Sequence, residues 1–580
     1  MNIYWKSTVA SGSFTTASNW VQGAVPGLND VAEITSGPFV SLNSASPVTV
    51  LGINVVVGTL AIVSDLTATE GTAIGANRGT IELTSGAEFD FGGNFKNINT
   101  LNDISGTFGV VHTDVTLSGA GAVGLVSNTA IINIRAGLSL TNVDNLIAGQ
   151  GAIQGGGTLV NQTKGVINAS ISNQTLFATN IRNTGTLEAS LGILEIDGRV
   201  DNHGGGIINT DTGHISLSDG ADIIGGTLGS SSTSTPLISV DGAVVFDGSK
   251  SSVPTNTLLN TKGAIQVSAG SNLDLQGTIR NLGTWDVQTA TININGTVTL
   301  QGLGNVELTD SQVEGAGATA TLANVNDTIE GRGTIGGGGL KLNNEVGGII
   351  KAQSGQFPLV IDTGANTIVN AGQIRADNGT LFIASNLNNS GGKLHAAENH
   401  TLYAEGNVTG GSATIDEQGI IEFGSASSAA TTFAAGSTGQ LVIDKSANYS
   451  GTIGGFGANT TQSIDLTDFN FTGAHATSFS AGVLTLTNSS GKVVHLNFSG
   501  THTLASFHLS DDGNFNGTAD GTKITDPPVT SSRLNPLNNL DLFTQYIAAG
   551  WKDSGAPGNI LSQIAPLSEQ HILITQPHAH

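Results

Sequence analysis

Most of the chain alternates apolar and polar residues with a period of two, in short runs broken by Asn- and Gly-rich turns. The alternation after Asn183 places Leu187, Ala189, Leu194 and Ile196 on one face and Glu188, Glu195 and Asp197 on the other, as expected of strands. These runs recur with a beat. The unit Asn-x-Gly-x-apolar-x-apolar starts at Asn183, Asn281 and Asn370, so that Gly185, Gly283 and Gly372 stand two positions on. The step from Asn183 to Asn202 is 19 residues (202 − 183), and the step from Asn370 to Asn389 is again 19 (389 − 370). A period near 20 with short alternating strands predicts a solenoid in which each repeat is one coil. The expected class is therefore all-β, a parallel, right-handed β-solenoid.

A longer repeat lies over the short one. The stretches 146–228 and 328–415 read as an approximate internal duplication. Gly185 matches Gly372, Asn202 matches Asn389 and Gly204 matches Gly391, each at an offset of 187 (372 − 185, 389 − 202, 391 − 204). Upstream, the run from Gly149 matches the run from Gly331 at an offset of 182 (331 − 149). The corner residues admit two readings. Gly accepts positive φ and Asn tolerates it better than most residues, which makes both ordinary turn residues. Stacked Asn at equivalent corners could instead hydrogen-bond coil to coil, as amide ladders do in stacked sheets.

In chain order, residues 1–45 differ from the rest and hold Trp5 and Trp20, two of the four tryptophans. Aromatic residues there can plug the open end of a solenoid, which otherwise exposes core and strand edges; the other use of such a pair is stacking on sugar. The run GSFTTASNWVQGAVPGLNDVAEI resembles the opening segment of bacterial surface and secreted β-helical proteins, passenger-type adhesins among them. Residues 46–430 read as the solenoid. Over 431–526 the rhythm changes, and the pattern running from Gly451-Thr452-Ile453 through Phe456 to Ile464-Asp465-Leu466 resembles a β-rich module that ends many large secreted proteins of Gram-negative bacteria. Residues 527–580 open on a Pro-rich linker, carry a short amphipathic run from Leu540 to Trp551 and end in a polar stretch; this tail is similar to the uncleaved signal of proteins exported by type I secretion. His578 and His580 read as tail and not as ligands. The resemblances imply a protein secreted to the cell surface without a cleaved N-terminal signal.

Composition narrows the partners. Lys plus Arg is 20 against 44 for Asp plus Glu, a formal charge of −24, which opposes nucleic-acid and anionic-membrane binding. There is no cysteine, so thiol and zinc-thiolate chemistry are excluded and stability must come from coil stacking. No apolar segment reaches the length of a spanning helix.

The best local motif is Asp-x-Asn-x-Asn-Gly at Asp512, the first half of a calcium loop. Asp512, Asn514 and Asn516 offer hard oxygen ligands, Thr518 a carbonyl and Asp520 the ninth position, but Lys523 stands where a bidentate Glu belongs. Calcium is the one cofactor the sequence suggests; a plain Asx/Gly turn is the other reading. For polysaccharide cleavage, Asp310, Glu314, Glu330 and Arg332 lie within one or two coils, but only 5% of residues are aromatic, too few for a sugar-stacking groove. Arg182, Arg280 and Arg375 recur beside the Asn-Gly corners and read as solvent contacts. The expectation is a non-enzymatic extracellular structural or adhesive protein that binds copies of itself head to tail through its coil ends, with surface glycans as a further partner. The alternatives are a secreted polysaccharide lyase or hydrolase and a monomeric adhesin.

Overall fold

The computed structural model describes residues 1–36, 39–69, 75–232, 235, 237–249, 258–353, 355–513 and 521–526. The described chain is all-β, with 54% strand and 2% helix, and it winds as a parallel β-solenoid of about 20 turns. The solenoid lies within the unit 1–528. The amphipathic run Leu540–Trp551 and the tail residues His578 and His580 lie outside the described residues.

Each turn contributes to three sheets, and each strand pairs in parallel with the strand one turn later. Sheet one contains Ile181–Asn183 under Arg199–Asp201, sheet two Thr186–Ala189 under Ile207–Thr210, and sheet three Ile193–Ile196 under His214–Ser218. The alternation predicted this arrangement correctly: Leu187, Ala189, Leu194 and Ile196 are fully buried inside the coil. At about 4.8 Å per turn, twenty turns stack to a length of roughly 95 Å. Between 272 and 336 the corners straighten, and strands such as Asn272–Asn281 and Asn305–Gly315 each serve two sheets.

The two copies of the long repeat sit on different sheets. Asn183 closes a strand of sheet one. From there the chain returns to sheet one eight times, at 199, 222, 243, 272, 291, 312, 333 and 359, before reaching Asn370. Asn370 ends Ile368–Asn370, which stacks on Lys341–Asn344 in sheet two. The 187-residue offset is thus eight turns and one further side, so the second copy is rotated by one face.

Caps cover part of both ends of the stack. At the N-terminal end Trp5 and Trp20 are buried edge to face with ring centroids 5.1 Å apart, and Phe14 packs on Trp20 at 5.0 Å. The indole N–H groups donate to the Val9 and Phe14 carbonyls. The burial fits an end plug and leaves neither ring face for a sugar. The outer edge of the first strand, Asn2–Tyr4, is also occupied: Val21 N–H donates to the Tyr4 carbonyl at 2.8 Å, and the Gln22 amide bonds Tyr4 N–H and the Asn2 carbonyl. At the other end the parallel coils continue through Ser463–Leu466. Thr522–Thr525 then pairs antiparallel with that last strand, and His508–Asp511 pairs antiparallel with Thr522–Thr525. A further antiparallel meander, His475–Ser480, Val483–Thr487 and Val493–Phe498, covers Thr452–Gly454.

Candidate interaction face

The interior fixes how precisely the outer side chains are placed. Asn142, Asn161, Asn183 and Asn202 are fully buried at the end of sheet one, and the side-chain N–H of each of the first three donates to the next Asn side-chain carbonyl, at 3.0, 2.9 and 2.7 Å. A second ladder at the end of sheet two joins Asn324, Asn344, Asn370 and Asn389 at 2.9, 2.8 and 2.7 Å. On the same sheet Thr261 donates to Asn281 at 3.2 Å, with one turn between Asn281 and Asn324. Between Asn202 and Thr261 the ladder changes corners. Of the two readings of the corner Asn residues, the ladder holds: none of Asn183, Asn202, Asn281, Asn370 and Asn389 has positive φ. The glycines divide. Gly204 and Gly391 adopt φ of 83° and 84°, whereas at Gly185, Gly283 and Gly372 a Cβ would overlap backbone carbonyl oxygens of the turn below. Close approach, and not positive φ, demands glycine at those three.

On this frame the outward residues of sheet three form a straight row. Across consecutive turns, Asp286 pairs in register with Glu307, Glu307 with Glu330, Glu330 with Lys351, Lys351 with Arg375 and Arg375 with His395. Gln266 lies before the row and Thr414 after it. Three acidic rungs are therefore followed by three basic ones. Lys351 Nζ lies 2.6 Å from Glu330 Oε2 at the junction. Burial raises the Glu307 carboxyl above its ordinary pKa, and Glu330 and Asp286 add to the rise. His395 is held above its ordinary pKa by Asp377, with Asp416 assisting at 2.8 Å. Burial acts to raise Asp377, but the hydrogen bonds from His395 and Arg375 outweigh it and its pKa falls. The acidic half of the row thus carries concentrated negative charge, and the basic half is braced by Asp377 and Asp416.

The residues considered for sugar cleavage do not converge. Asp310 makes a two-pronged pair with Arg332, at 2.8 Å for both contacts, and Arg332 lies over the Phe357 ring. Glu330 is engaged by Lys351 on sheet three, while Glu314 belongs to the sheet-one part of Asn305–Gly315, in register with Gly336. Farther back on sheet three, His214 Nε2 lies 2.8 Å from Ser239 Oγ, but the Ser239 hydroxyl donates to Asp241, so a carboxylate and not the imidazole takes its proton. Burial lowers the pKa of His214. A cleft of about 350 Å³ at the end of sheet two is lined by Val325, Asn343, Val346 and Val369.

Of the calcium loop, Asp512 lies at the end of His508–Asp511, beside Gly521. Asn514, Asn516, Thr518 and Asp520 lie outside the described residues. Among the described residues no group of three or more His, Asp or Glu is arranged to hold a metal ion. No described helix is long and apolar enough to cross a membrane. The ladder was legible as an Asn beat; the charged row was missed, with Arg375 read as a lone solvent contact, because its rungs are 21, 23, 21, 24 and 20 residues apart (307 − 286, 330 − 307, 351 − 330, 375 − 351, 395 − 375). In comparison with known proteins, the chain matches no family model and no curated protein sequence.

Proposed function

We propose that this protein is an extracellular structural or adhesive rod that makes its contacts through its sides. The observation that carries the reading is the pairing of a continuous coil stack with a cap at each end. A stack whose interior amides bond from turn to turn holds outer side chains at fixed spacing, which suits a repetitive binding surface. Occupied edges at Asn2–Tyr4 and Ser463–Leu466 disfavour coil-on-coil polymerisation, since edge pairing needs free N–H and C=O groups. This moves the proposed contacts from head-to-tail to lateral. Surface glycans remain the proposed external partner, and secretion to the cell surface the proposed location.

Negative-stain electron microscopy of the purified protein, with and without calcium, tests the reading and the Asp512 loop together. Slender particles with a solenoid length near 95 Å, bound side-on to glycan-coated beads, are expected. Long fibres joined end to end would restore the head-to-tail mode. Release of reducing ends from a panel of polysaccharides would replace the reading with the lyase or hydrolase.

A further inference from the structure

The row on sheet three is antisymmetric about its middle. Asp286, Glu307 and Glu330 lead into Lys351, Arg375 and His395 on successive turns. Five steps at about 4.8 Å give a stripe roughly 24 Å long. Neighbouring charges weaken the polarity of the basic half without reversing it. Lys393 adds to the basic half and stands beside His395 in the strand Lys393–Ala396. Asp377 and Asp416 take two charges from that half, and the Asp310–Arg332 pair beside the acidic half is neutral.

We propose that this stripe pairs two copies of the chain side by side in antiparallel orientation. A two-fold axis lying along the strands, between the Glu330 and Lys351 rungs, reverses one rod against the other. It sets Asp286 opposite His395 and exposed Glu307 opposite Arg375, while at the axis the buried Glu330 stays paired with Lys351 within each copy, so the two outer rungs on each side carry the complementarity. A two-fold axis along the solenoid would set each rung against its own kind, which is disfavoured. Charge complementarity therefore selects one orientation, and the partner is a second copy because this stripe, reversed, supplies the matching order. Elsewhere the molecule carries a large negative excess that keeps copies apart.

The size of the face sets the strength. Six rungs of four-residue strands cover roughly 350 Å² per copy, well under the ~800 Å² per partner of a standard interface. The pair is consequently weak, with charge fixing its orientation and salt dissolving it. The inference deepens the rod reading by naming a partner, and it rests on that reading.

Sedimentation equilibrium of the full chain at 10–300 μM, in about 20 mM and about 500 mM salt, provides the test. Wild type is expected to dimerise in low salt and to be monomeric in high salt. Glu307→Lys and Arg375→Glu should each weaken the dimer at least tenfold. The double variant E307K/R375E, which exchanges the two facing charges, should restore it. Circular dichroism and hydrogen exchange verify that each variant is folded, and both substitutions leave the Glu330–Lys351 contact in place. A wild type that stays monomeric in low salt overturns the proposal, as does a dimer unaffected by the single reversals or a folded double variant that does not recover. Monomeric rods would sink the pairing alone, whereas polysaccharide cleavage would sink the rod reading beneath it.

Discussion

Replacing Asp327 with Asn should stabilise the protein, and more so the higher the pH. Asp327 is fully buried at a corner of the second ladder. Its N–H donates to Asn324 Oδ1 at 3.1 Å, its carbonyl accepts from Asn324 Nδ2 at 3.0 Å, and its carboxylate accepts from Gly304 N–H at 3.2 Å. The equivalent place 182 residues earlier (327 − 145) holds Asn145, with the same two bonds to Asn142 at 3.0 and 2.9 Å and an amide donated by Asn97 at 3.2 Å. The second copy thus carries an ionisable group where the first carries a neutral isostere. Burial pushes the Asp327 carboxyl from 3.8 up to about 7, against the opposing pull of backbone N–H groups and Asn281. The raised value favours the protonated acid in the fold. Stability from this group is therefore full below pH 3.8 and is lost as pH rises through 7. A rise of about 3 pH units at 1.36 kcal/mol each amounts to roughly 4 kcal/mol at pH 8, and less than about 1 kcal/mol at pH 4. D327N removes the titration and keeps the shape. Guanidinium unfolding midpoints at pH 4 and pH 8, with hydrogen exchange at Gly304 and residue 327 as the local readout, measure both ends. An equal gain at the two pH values, or a loss at pH 8, would refute the assignment of the cost to a buried charge.

Other outcomes follow from the same geometry. Asn183→Ala should cost about 2–4 kcal/mol, because it strands buried partners in Asn161 and Asn202; thermal melts against Arg182→Ala, expected within about 0.5 kcal/mol, check this. Gly283→Ala should destabilise by at least ~1–3 kcal/mol through overlap with the Gly263 carbonyl, while Gly270→Ala, with open space around its Cβ position but φ of 79°, should act only through backbone strain of ~1 kcal/mol; paired denaturation curves separate the two. Trp20→Ala should cost about 3–5 kcal/mol and promote self-association through the uncovered first coil, read by light scattering. The His395 imidazole should titrate above its ordinary value by NMR and fall back in Asp377→Asn. The pairing itself contributes stability between the lowered Asp377 value and the raised His395 value, fading below the first and above the second.

The periodic part of this fold was legible because strand alternation and corner chemistry are local. Leu187 and Leu194 declare their inward face within a few residues, and Asn183 and Asn202 announce one rung each. Which sheet a rung joins is not local. It depends on how many residues each corner consumes, and the long strands at 272–336 absorb corners that the Asn-Gly beat elsewhere marks. Hence the repeat at Asn370 looked like a simple copy of Asn183 although it stacks on another sheet. The charged row was hidden for the same reason: Glu330 and Lys351 become neighbours only when the turn between them is closed. The buried Trp5 and Trp20 were readable as a plug, whereas the hydrogen bonds of Gln22 to the first strand depend on a loop conformation that composition does not encode.

The side-chain amides in each ladder all point the same way, every donor toward the following turn. A partly formed stack therefore leaves an unfilled N–H on its C-terminal face and an unfilled carbonyl on its N-terminal face, so its two faces offer different groups to the turn that joins them. The change of corner between Asn202 and Thr261 interrupts the ladder. With no bond between side-chain amides carried across it among the described residues, this is the place where native-state hydrogen exchange is expected to separate two levels of protection.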